Sequence, residues 1–567
     1  MFVLIRMATS KSGGFGLSLR SLAAGLVTAA ALILLVATLV PGPAVGESAD
    51  YLAGFARLDP FPPMSHFLWG YIVVLLKYLP LKPLAWWGNM FSALCGAGVV
   101  CLVFLLTSQV PHDRSREEIE AAFDRRAVGI LSGLFAAGLC LTSIPFWQVA
   151  TRAHPAPFDL LILLGLLWML VGISRLANPG RWLCLWALLY GTGMTEYATM
   201  IMLAPLVGVT VMWLLWRRHC LTLKQVVLVI GCGAAPLLLY AVYAWDYTLT
   251  KAFHWRGFHS FWDSLWFVWR DQYRAIAKSI PRVGWLLLFM VTVIPAIVVF
   301  YPKSRSKEGR IVYSIFMHLV LTGALLVLFL ETRLSPWRLL GWRPLLVAPY
   351  VLGAAWGGYL AGYWWVVVAH PAAWKFRRVE TLERVLYRWY PVLLAAGVAW
   401  LGWKNFPEAV STTDRAIADL ARDIVRRLDG RRWLLTSGGI DNAVRLAAAE
   451  QRVPLTIVSL RSAASEAYLE YVSCQFTNER LRVLARLGIE PLLEEWVKLE
   501  PEAAGKIASV TDPDILEAVG IRAVPACSLY RGMPPRVPVD VDRLLSEHRR
   551  FWKEVSARVG TRRARAE

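Results

Sequence analysis

The stretch LAAGLVTAAALILLVATLVPGPAVGESAD, residues 22–50, places two carboxylates directly after a long uncharged run. Residues 22–45 carry no charged side chain, and three basic residues precede them. A signal peptide has an apolar core of roughly 7–15 residues, whereas a membrane span needs about 20. The run therefore predicts an uncleaved first membrane-spanning helix, with Glu47 and Asp50 just beyond its end.

The composition of the whole chain is that of a membrane protein. Of its 567 residues, 57% are hydrophobic and 18% are charged, and 27 are tryptophan, a residue enriched at membrane interfaces. The net charge of +20 does not indicate nucleic acid as a partner, because no basic tract is interleaved with aromatic residues. Lys- and Arg-rich cytoplasmic loops explain the charge instead.

Ten further apolar runs are long enough to be predicted as spans, which gives about eleven in all. The pair at 182–196 and 198–216 could instead form one long tilted helix. The ten runs lie near residues 88–107, 128–149, 158–175, 182–196, 198–216, 225–246, 284–301, 311–330, 344–368 and 390–404.

Four basic clusters set the predicted orientation. They fall on one side of the membrane if eleven spans alternate, and the excess of Lys and Arg makes that side cytoplasmic, together with the amino terminus. The clusters lie at 114–126, 217–224, 303–310 and 375–388. We therefore expect a multi-pass membrane protein with its amino terminus in the cytoplasm. The loop at 43–87, called here the acidic loop, and residues 405–567, called the tail, would then be extracytoplasmic.

The tail has a different pattern from the transmembrane domain at 1–404. An amphipathic helix, a strand at 433–436, a Gly-Gly turn, a helix and a second strand follow one another, which predicts a small α/β domain with a partly parallel sheet. The turn at 437–439 lacks the full GxGxxG pattern, so a plain tight turn is favoured over a phosphate cradle. Cys474 and Cys527 could pair if the tail is extracytoplasmic.

The acidic loop offers chemistry as well as charge. Glu47 and Asp50 would share a helix face if a short helix begins after Gly46. The apolar, aromatic segment at 61–82 is predicted to lie along the interface and cover them. A sugar on a polyprenyl phosphate presents its anomeric carbon at this level of the membrane, and its transfer to a hydroxyl needs a base such as a carboxylate.

The leaving phosphate needs positive charge, and arginines on the same predicted side could supply it. Singly, each is typical of a headgroup anchor. Together they indicate a phosphate site. They are Arg256, Arg270, Arg274, Arg333, Arg338 and Arg343.

Residues 47–106 resemble the opening of a bacterial membrane family, domain of unknown function 2723. Its members are similar to protein O-mannosyltransferases and belong to the GT-C glycosyltransferase superfamily. The sequence ESAD at 47–50 matches the family's "DSGE"-like motif, FPP at 61–63 its "HPPGYPL"-like motif, and NMFSAL at 89–94 its "N-x-x-SAL" motif. The resemblance covers roughly residues 20–370.

The resemblance implies an inverting transferase of a bacterial inner or plasma membrane, within the cell envelope, with a polyprenyl-phosphate sugar donor and a protein or glycan acceptor. Glu47 would be the base and Asp50 its orienting or metal-binding neighbour. The residues do not fix a cofactor; if a divalent metal binds, these two are its predicted ligands. Glutamate replaces the family's usual aspartate at 47, and phenylalanine replaces its histidine at 61. A catalytically inactive scaffold that binds polyprenyl lipids therefore stays an alternative, as does a transporter or flippase.

Four more residues are candidates for the site. His66 could contact an acceptor sugar or ligate a metal, although a lone histidine in an aromatic segment is more often structural. Arg152 and His154 lie in a short loop and could bind phosphate. Glu196, at the tip of a predicted hairpin, could help to bind a metal or the acceptor.

Overall fold

The computed structural model describes residues 19–44, 46–61, 63, 65–80, 82–110, 125–176, 178–278, 307–341, 346–368, 380–410 and 412–566. Arg343, the predicted span at 284–301 and parts of three basic clusters lie outside these residues.

Before the tail, every regular element that the structure describes is helical. In chain order the α-helices are α1 (Leu19–Ala37), α2 (Glu47–Phe55), α3 (Phe67–Leu76), α4 (Leu84–Thr107), α5 (Arg125–Thr142), α6 (Ile144–Ala150), α7 (Ala156–Ile173), α8 (Gly180–Glu196), α9 (Ala198–Arg217), α10 (Leu223–Ala234), α11 (Leu239–Leu249), α12 (Phe261–Lys278), α13 (Lys307–Phe329), α14 (Pro336–Leu340), α15 (Val347–Val368) and α16 (Glu380–Ala409).

Several of these helices are consistent with a multi-pass membrane protein. Within the described ranges, five segments are long and apolar enough to cross a membrane: α1, α4, α7, α9 and the continuous stretch Leu223–Leu249. Two further helices, bent by 71° relative to each other, bring the number of candidate spans to six if they are counted as one span: Ala127–Thr142 and Ile144–Ala150. The other predicted runs are helical wherever they are described. The number of eleven spans and the direction of the termini stay predictions.

The region at 182–216 forms two helices rather than one long tilted helix. Tyr197 has an extended backbone, with φ −148° and ψ 146°, and it separates α8 from α9. The Tyr190 hydroxyl donates to the carbonyl oxygen of Met200 at 2.6 Å across this break. Glu196 is therefore the last residue of α8, at the turn of the hairpin.

Small residues set the closest helix contacts. A Cβ atom at Gly358 of α15 would lie 2.3 Å from the carbonyl oxygen of Ser132 in α5. At Gly191 of α8 it would lie 2.1 Å from the carbonyl oxygen of Gly233 in α10. Helices in membranes approach closely through such residues, because lipid provides no hydrophobic force that drives them together.

The acidic loop folds into two short helices that pack on each other. Helix α2 begins directly after Gly46, as the sequence predicts. Helix α3 is shorter than the predicted covering segment, and its Phe67 and Trp69 are buried in one cluster with Leu52 of α2. The aromatic segment therefore does cover α2 from one side; its relation to the bilayer stays a prediction.

The tail contains one mixed five-stranded sheet with helices between its strands. In chain order, the elements of the tail are α17 (Thr412–Arg426), β1 (Trp433–Thr436), α18 (Asp441–Glu450), β2 (Thr456–Ser459), α19 (Glu466–Ser473), α20 (Glu479–Leu487), α21 (Ile489–Leu499), β3 (Ile507–Ser509), α22 (Asp514–Ala518), β4 (Arg522–Ala526), β5 (Leu529–Met533) and α23 (Val541–Ala566). The strand order in the sheet is β2-β1-β3-β5-β4. Strand β1 is parallel to β2 and β3, whereas β5 is antiparallel to β3 and β4.

The two cysteines of the tail do not pair in this fold. Both are free thiols, with Cys474 exposed and Cys527 accepting a hydrogen bond from Arg427 at 3.2 Å. Cys474 follows α19, and Cys527 lies between β4 and β5. The pairing that the sequence left open is therefore not formed in this fold.

Candidate functional site

Glu47 stands at the first turn of α2 with its carboxylate half-exposed. Its Oε2 lies 3.2 Å from Nε2 of His154, and its side chain retains 48% of its accessible surface. The Nδ1 atom of His154 accepts the backbone N–H of Ala156 at 3.1 Å. In the neutral imidazole the proton is therefore on Nε2, from which it is donated to Glu47. The sequence predicted a more sheltered carboxylate and a phosphate-binding role for His154.

Two polar residues of α4 fix this pair in place. The Nδ2 of Asn89 donates to the carbonyl oxygens of Val40 and Gly42, at 2.6 and 3.0 Å, just after α1. Its Oδ1 accepts the N–H of Ala153 at 2.6 Å. The hydroxyl of Ser92 bonds to both the N–H and the carbonyl of His154, each at 3.0 Å.

Both residues belong to the NMFSAL motif, and both are buried. The motif thus holds the chain before Glu47 and the chain around His154 against one helix. Since neither backbone segment is part of regular structure, these side chains satisfy polar groups that would otherwise be buried without partners.

Asp50 takes a different direction from Glu47. Its Oδ1 accepts a hydrogen bond from Asn442 of α18 at 2.7 Å, and the same amide donates to Oδ2 of Asp59 at 2.7 Å. Burial raises the pKa of Asp50 and the Asn442 hydrogen bond lowers it, with Asp59 and Glu47 adding to the rise. Although Glu47 and Asp50 are three residues apart on α2, Glu47 contacts His154 and Asp50 contacts Asn442. In this structure His154 is the residue that contacts the Glu47 carboxylate, and the role of Asp50 in orienting Glu47 or binding a metal stays a prediction.

A cavity of about 120 Å³ lies between the acidic loop and the tail. Carboxylates, an amide, a guanidinium and hydroxyls surround it, together with the Gly-Gly turn after β1. The polar residues that line it are Asp50, Asp59, Asp441, Asn442, Arg445, Ser459, Ser462 and Tyr468. Such groups bind hydroxyl-bearing molecules, because each can donate or accept a hydrogen bond.

A second cluster lies on the other side of Tyr51. Nδ1 of His66 is 3.2 Å from Oδ2 of Asp159 and 3.8 Å from Oε1 of Glu196. The ring of Tyr51 contacts both His66 and His154 edge-on, with centroid distances of 5.4 and 5.8 Å. Burial disfavours the charged imidazole, but Asp159 and Glu196 outweigh it and raise the pKa of His66.

Glu196 has a clear structural role. It is fully buried, and it accepts the backbone N–H groups of Leu68 at 2.7 Å and of Trp69 at 3.3 Å. These are donors of the first turn of α3, which have no partner within the helix. Glu196 thus caps α3, although the two lie far apart in sequence. Its part in binding a metal or the acceptor stays a prediction.

The predicted arginines do not form one cluster. Arg152 pairs with Asp414 of α17 at 2.7 Å, and Arg338 with Glu408 of α16 at 2.6 Å. The guanidinium of Arg256 lies over the rings of Phe61 and Phe267, at 5.4 and 4.8 Å.

Arg270 also lies over the ring of Phe267, at 5.7 Å. Arg256, Arg270 and Arg274 are therefore predicted phosphate ligands that stand together, around Asp271. Of these three, Arg256 contacts Phe61 of the acidic loop.

Sequence reasoning missed Asp159 and Asn442. Asp159 is the single acid of α7, one turn from its start, and an ionisable residue at the end of so apolar a helix is itself a functional signal. Asn442 carries no such signal, because an asparagine at the start of a surface helix is commonplace. Its contact with Asp50 spans 392 residues of sequence.

Part of the chain matches a known protein family. Residues 64–220 match the family described as Protein O-mannosyl-transferase TMEM260 N-terminal domain. The matched segment contains His66, His154, Asp159 and Glu196 and begins after Glu47. No curated protein matches the chain. The match supports an O-mannosyltransferase-like glycosyltransferase, in agreement with the predicted resemblance; domain of unknown function 2723 and the GT-C superfamily stay predictions.

Proposed function

We propose that this chain is a membrane glycosyltransferase that moves a sugar from a polyprenyl-phosphate donor to a hydroxyl group, in the manner of protein O-mannosyltransferases. The observation that carries the proposal is the Glu47–His154 pair: a half-exposed carboxylate beyond an apolar helix, held by a buried imidazole at 3.2 Å. The family match adds the reaction class.

In the proposed reaction Glu47 is the base. Its carboxylate takes the proton of the acceptor hydroxyl while the hydroxyl oxygen forms a bond to the anomeric carbon. The bond from that carbon to the phosphate oxygen breaks, its electron pair leaves with the phosphate, and the anomeric centre inverts. A positioned base contributes roughly 10²–10⁴-fold to such a step. The hydrogen bond from His154 holds the Glu47 carboxylate in one orientation, and a base must be positioned in this way to take a proton from the acceptor hydroxyl.

Arg256 is the best candidate for holding the donor phosphate. Its Nη1 is buried without a hydrogen-bond partner in the part of the chain that the structure describes. Arg152 and Arg338 are already paired with carboxylates, which reduces the charge they offer to a ligand. Stacking over Phe61 holds the Arg256 guanidinium beside the acidic loop.

The cavity beside Asp50 is the proposed acceptor site. At about 120 Å³ it is smaller than the roughly 150 Å³ cavity that admits benzene. It therefore fits a side chain such as serine or threonine better than a whole glycan. The tail supplies Asn442 and Arg445 to this cavity, which gives the tail a part in acceptor binding.

The test compares sugar transfer by wild-type membranes and by membranes with Glu47→Gln. The donor is a polyprenyl phosphate that carries radiolabelled mannose, and the readout is label in protein. We expect transfer to fall about 10²–10⁴-fold, because the amide cannot accept the proton. The matched control is Glu470→Gln, a surface carboxylate of the tail paired with Arg486, which should leave transfer unchanged.

The same assay separates the alternatives. Equal transfer by wild type and Glu47→Gln would overturn the role of Glu47. A scaffold would bind the labelled donor lipid without transferring its sugar in either form. A transporter or flippase would move the lipid across vesicles without any glycosylated product.

A further inference from the structure

We propose that His66, Asp159 and Glu196 form a binding site for one divalent transition metal ion, Zn²⁺ or Mn²⁺, which fastens the acidic loop to α7 and α8. The site is separate from Glu47 and Asp50, the ligands that the sequence predicted, and it does not depend on the proposed transferase activity.

The spacing of the three side chains fits one ion. His66 Nδ1 lies 3.2 Å from Asp159 Oδ2 and 3.8 Å from Glu196 Oε1, and one ligand atom from each residue falls within 4.8 Å of the others. Ligand atoms bonded at about 2.0–2.2 Å around a tetrahedral ion stand roughly 3.3–3.6 Å apart. Only small side-chain shifts are therefore needed to place an ion between them.

The negative charge of the cluster also favours the binding of a cation. Asp159 is 8% exposed and Glu196 is fully buried. Within the described residues, neither carboxylate is paired with a lysine or an arginine. Two buried carboxylates without a cation are costly, since desolvation disfavours each charge and the two repel. One divalent ion beside a neutral imidazole balances both.

Two atoms of the cluster have unused capacity. Oδ1 of Asp159 is buried without a hydrogen-bond partner within the described ranges, and Nδ1 of His66 is buried beside Oδ2 of Asp159, at 3.2 Å, without a well-aligned hydrogen bond. Asp159 is more than nine-tenths buried, so water does not substitute freely for the missing partner. A buried polar atom in this position normally has a ligand, because leaving it unsatisfied costs free energy.

The surrounding backbone holds the ligands in position. The N–H of His66 donates to the carbonyl oxygen of Glu196 at 2.9 Å, and the carboxylate of Glu196 accepts from Leu68 and Trp69. His66 has a left-handed backbone with φ 61°, which a residue with a side chain rarely adopts unless its surroundings impose it. Hydrogen bonds of this kind orient metal ligands.

The nature of the ligands selects the metal. One imidazole nitrogen with two carboxylate oxygens suits zinc and manganese better than calcium, which takes six to eight oxygens. The rival explanation is a protonated His66 that bridges the two carboxylates without any metal. The two explanations predict different metal contents for the same protein.

The experiment uses the full-length protein purified in detergent, stripped with a chelator and reloaded with Zn²⁺ or Mn²⁺. We expect about one tightly held ion per chain by elemental analysis, and a rise in the melting temperature on reloading. Asp159→Asn should weaken binding more than about 100-fold, since losing even an outer partner of a ligand costs roughly 10–100-fold. His548→Gln, in the tail, is the matched control and should keep the ion.

A second variant covers the case in which Asp159→Asn fails to fold. His66→Cys keeps a ligand at the same place, and Co²⁺ bound to it should show thiolate-to-cobalt charge-transfer absorption. The proposal is overturned if stripped wild type takes up no more metal than Asp159→Asn, or if Co²⁺ gives no such band with folded His66→Cys. Either result would leave the Glu47→Gln test of transfer unaffected.

Discussion

Asn442→Asp is the most informative change at the contact between the acidic loop and the tail. In the native protein one amide group donates to Asp50 and to Asp59, each at 2.7 Å, while its oxygen accepts from Arg445 at 2.7 Å. Aspartate has the same shape but brings a third carboxylate to this point. The contact with Arg445 survives, and both donated hydrogen bonds become oxygen–oxygen repulsions.

The size of the effect follows from these two bonds. Hydrogen bonds to charged groups contribute about 1.5–3 kcal/mol each, which sets an upper range of roughly 3–6 kcal/mol. Because Asp50 is exposed and can turn into water, we expect a loss of about 2–3 kcal/mol. Asn442→Ala removes the same bonds without adding charge, and we expect it to cost about 1 kcal/mol less.

The effect of pH on the stability of the two variants provides a second comparison. Partial burial raises the pKa of Asp50, so the folded state gains stability as the pH falls through that raised value. The hydrogen bond from Asn442 lowers the pKa, so protonation of Asp50 weakens that bond. In Asn442→Asp the added carboxylate also takes up a proton on acidification, and the difference from Asn442→Ala should shrink. The assay is hydrogen exchange of α18 in the full-length protein at neutral and acidic pH. If both variants protect α18 as well as wild type does at neutral pH, the bridging role of the amide is refuted.

Two further comparisons test packing and charge elsewhere. Gly191→Ala should lower the melting temperature sharply, because the added Cβ would lie 2.1 Å from a backbone oxygen. Gly231→Ala in α10 is the control, since a Cβ there meets nothing within 4 Å. Equal melting temperatures of the two variants would contradict the close helix contact. Arg152→Ala should lower the free energy of unfolding by roughly 3–5 kcal/mol, since it leaves the mostly buried Asp414 unpaired. Arg338→Ala breaks an exposed ion pair and should lower the free energy of unfolding by at most about 1 kcal/mol. Chemical unfolding of both variants measures the difference, and similar losses would refute the argument from burial.

The sequence predicted the local features well. The helix that begins after Gly46 and the strand at Trp433–Thr436 both occur where expected. Each depends on short-range signals: a glycine that ends one segment, or a run of apolar residues between polar ones. The apolar runs are likewise mainly helical where the structure describes them, although the run at 128–149 breaks at Ser143 into two helices bent by 71°.

The partners of the site residues could not be predicted in the same way. Glu47 and His154 are 107 residues apart in sequence, and Asp50 and Asn442 are 392 apart. Such contacts depend on how the helices pack, which in turn depends on small residues such as Gly358. The arginines could be placed on one predicted side but not assigned to partners, because an arginine pairs with whichever carboxylate the fold brings near.

The most direct test of the central claim is a double-mutant cycle of Glu47→Gln and His154→Gln, read out as sugar transfer from the polyprenyl-phosphate donor. If His154 acts by orienting the Glu47 carboxylate, each single variant should lose transfer, and His154→Gln should cost nothing further once Glu47 has been replaced. If the two losses multiply independently, or if Glu47→Gln transfers as fast as wild type, the Glu47–His154 pair is not the catalytic unit.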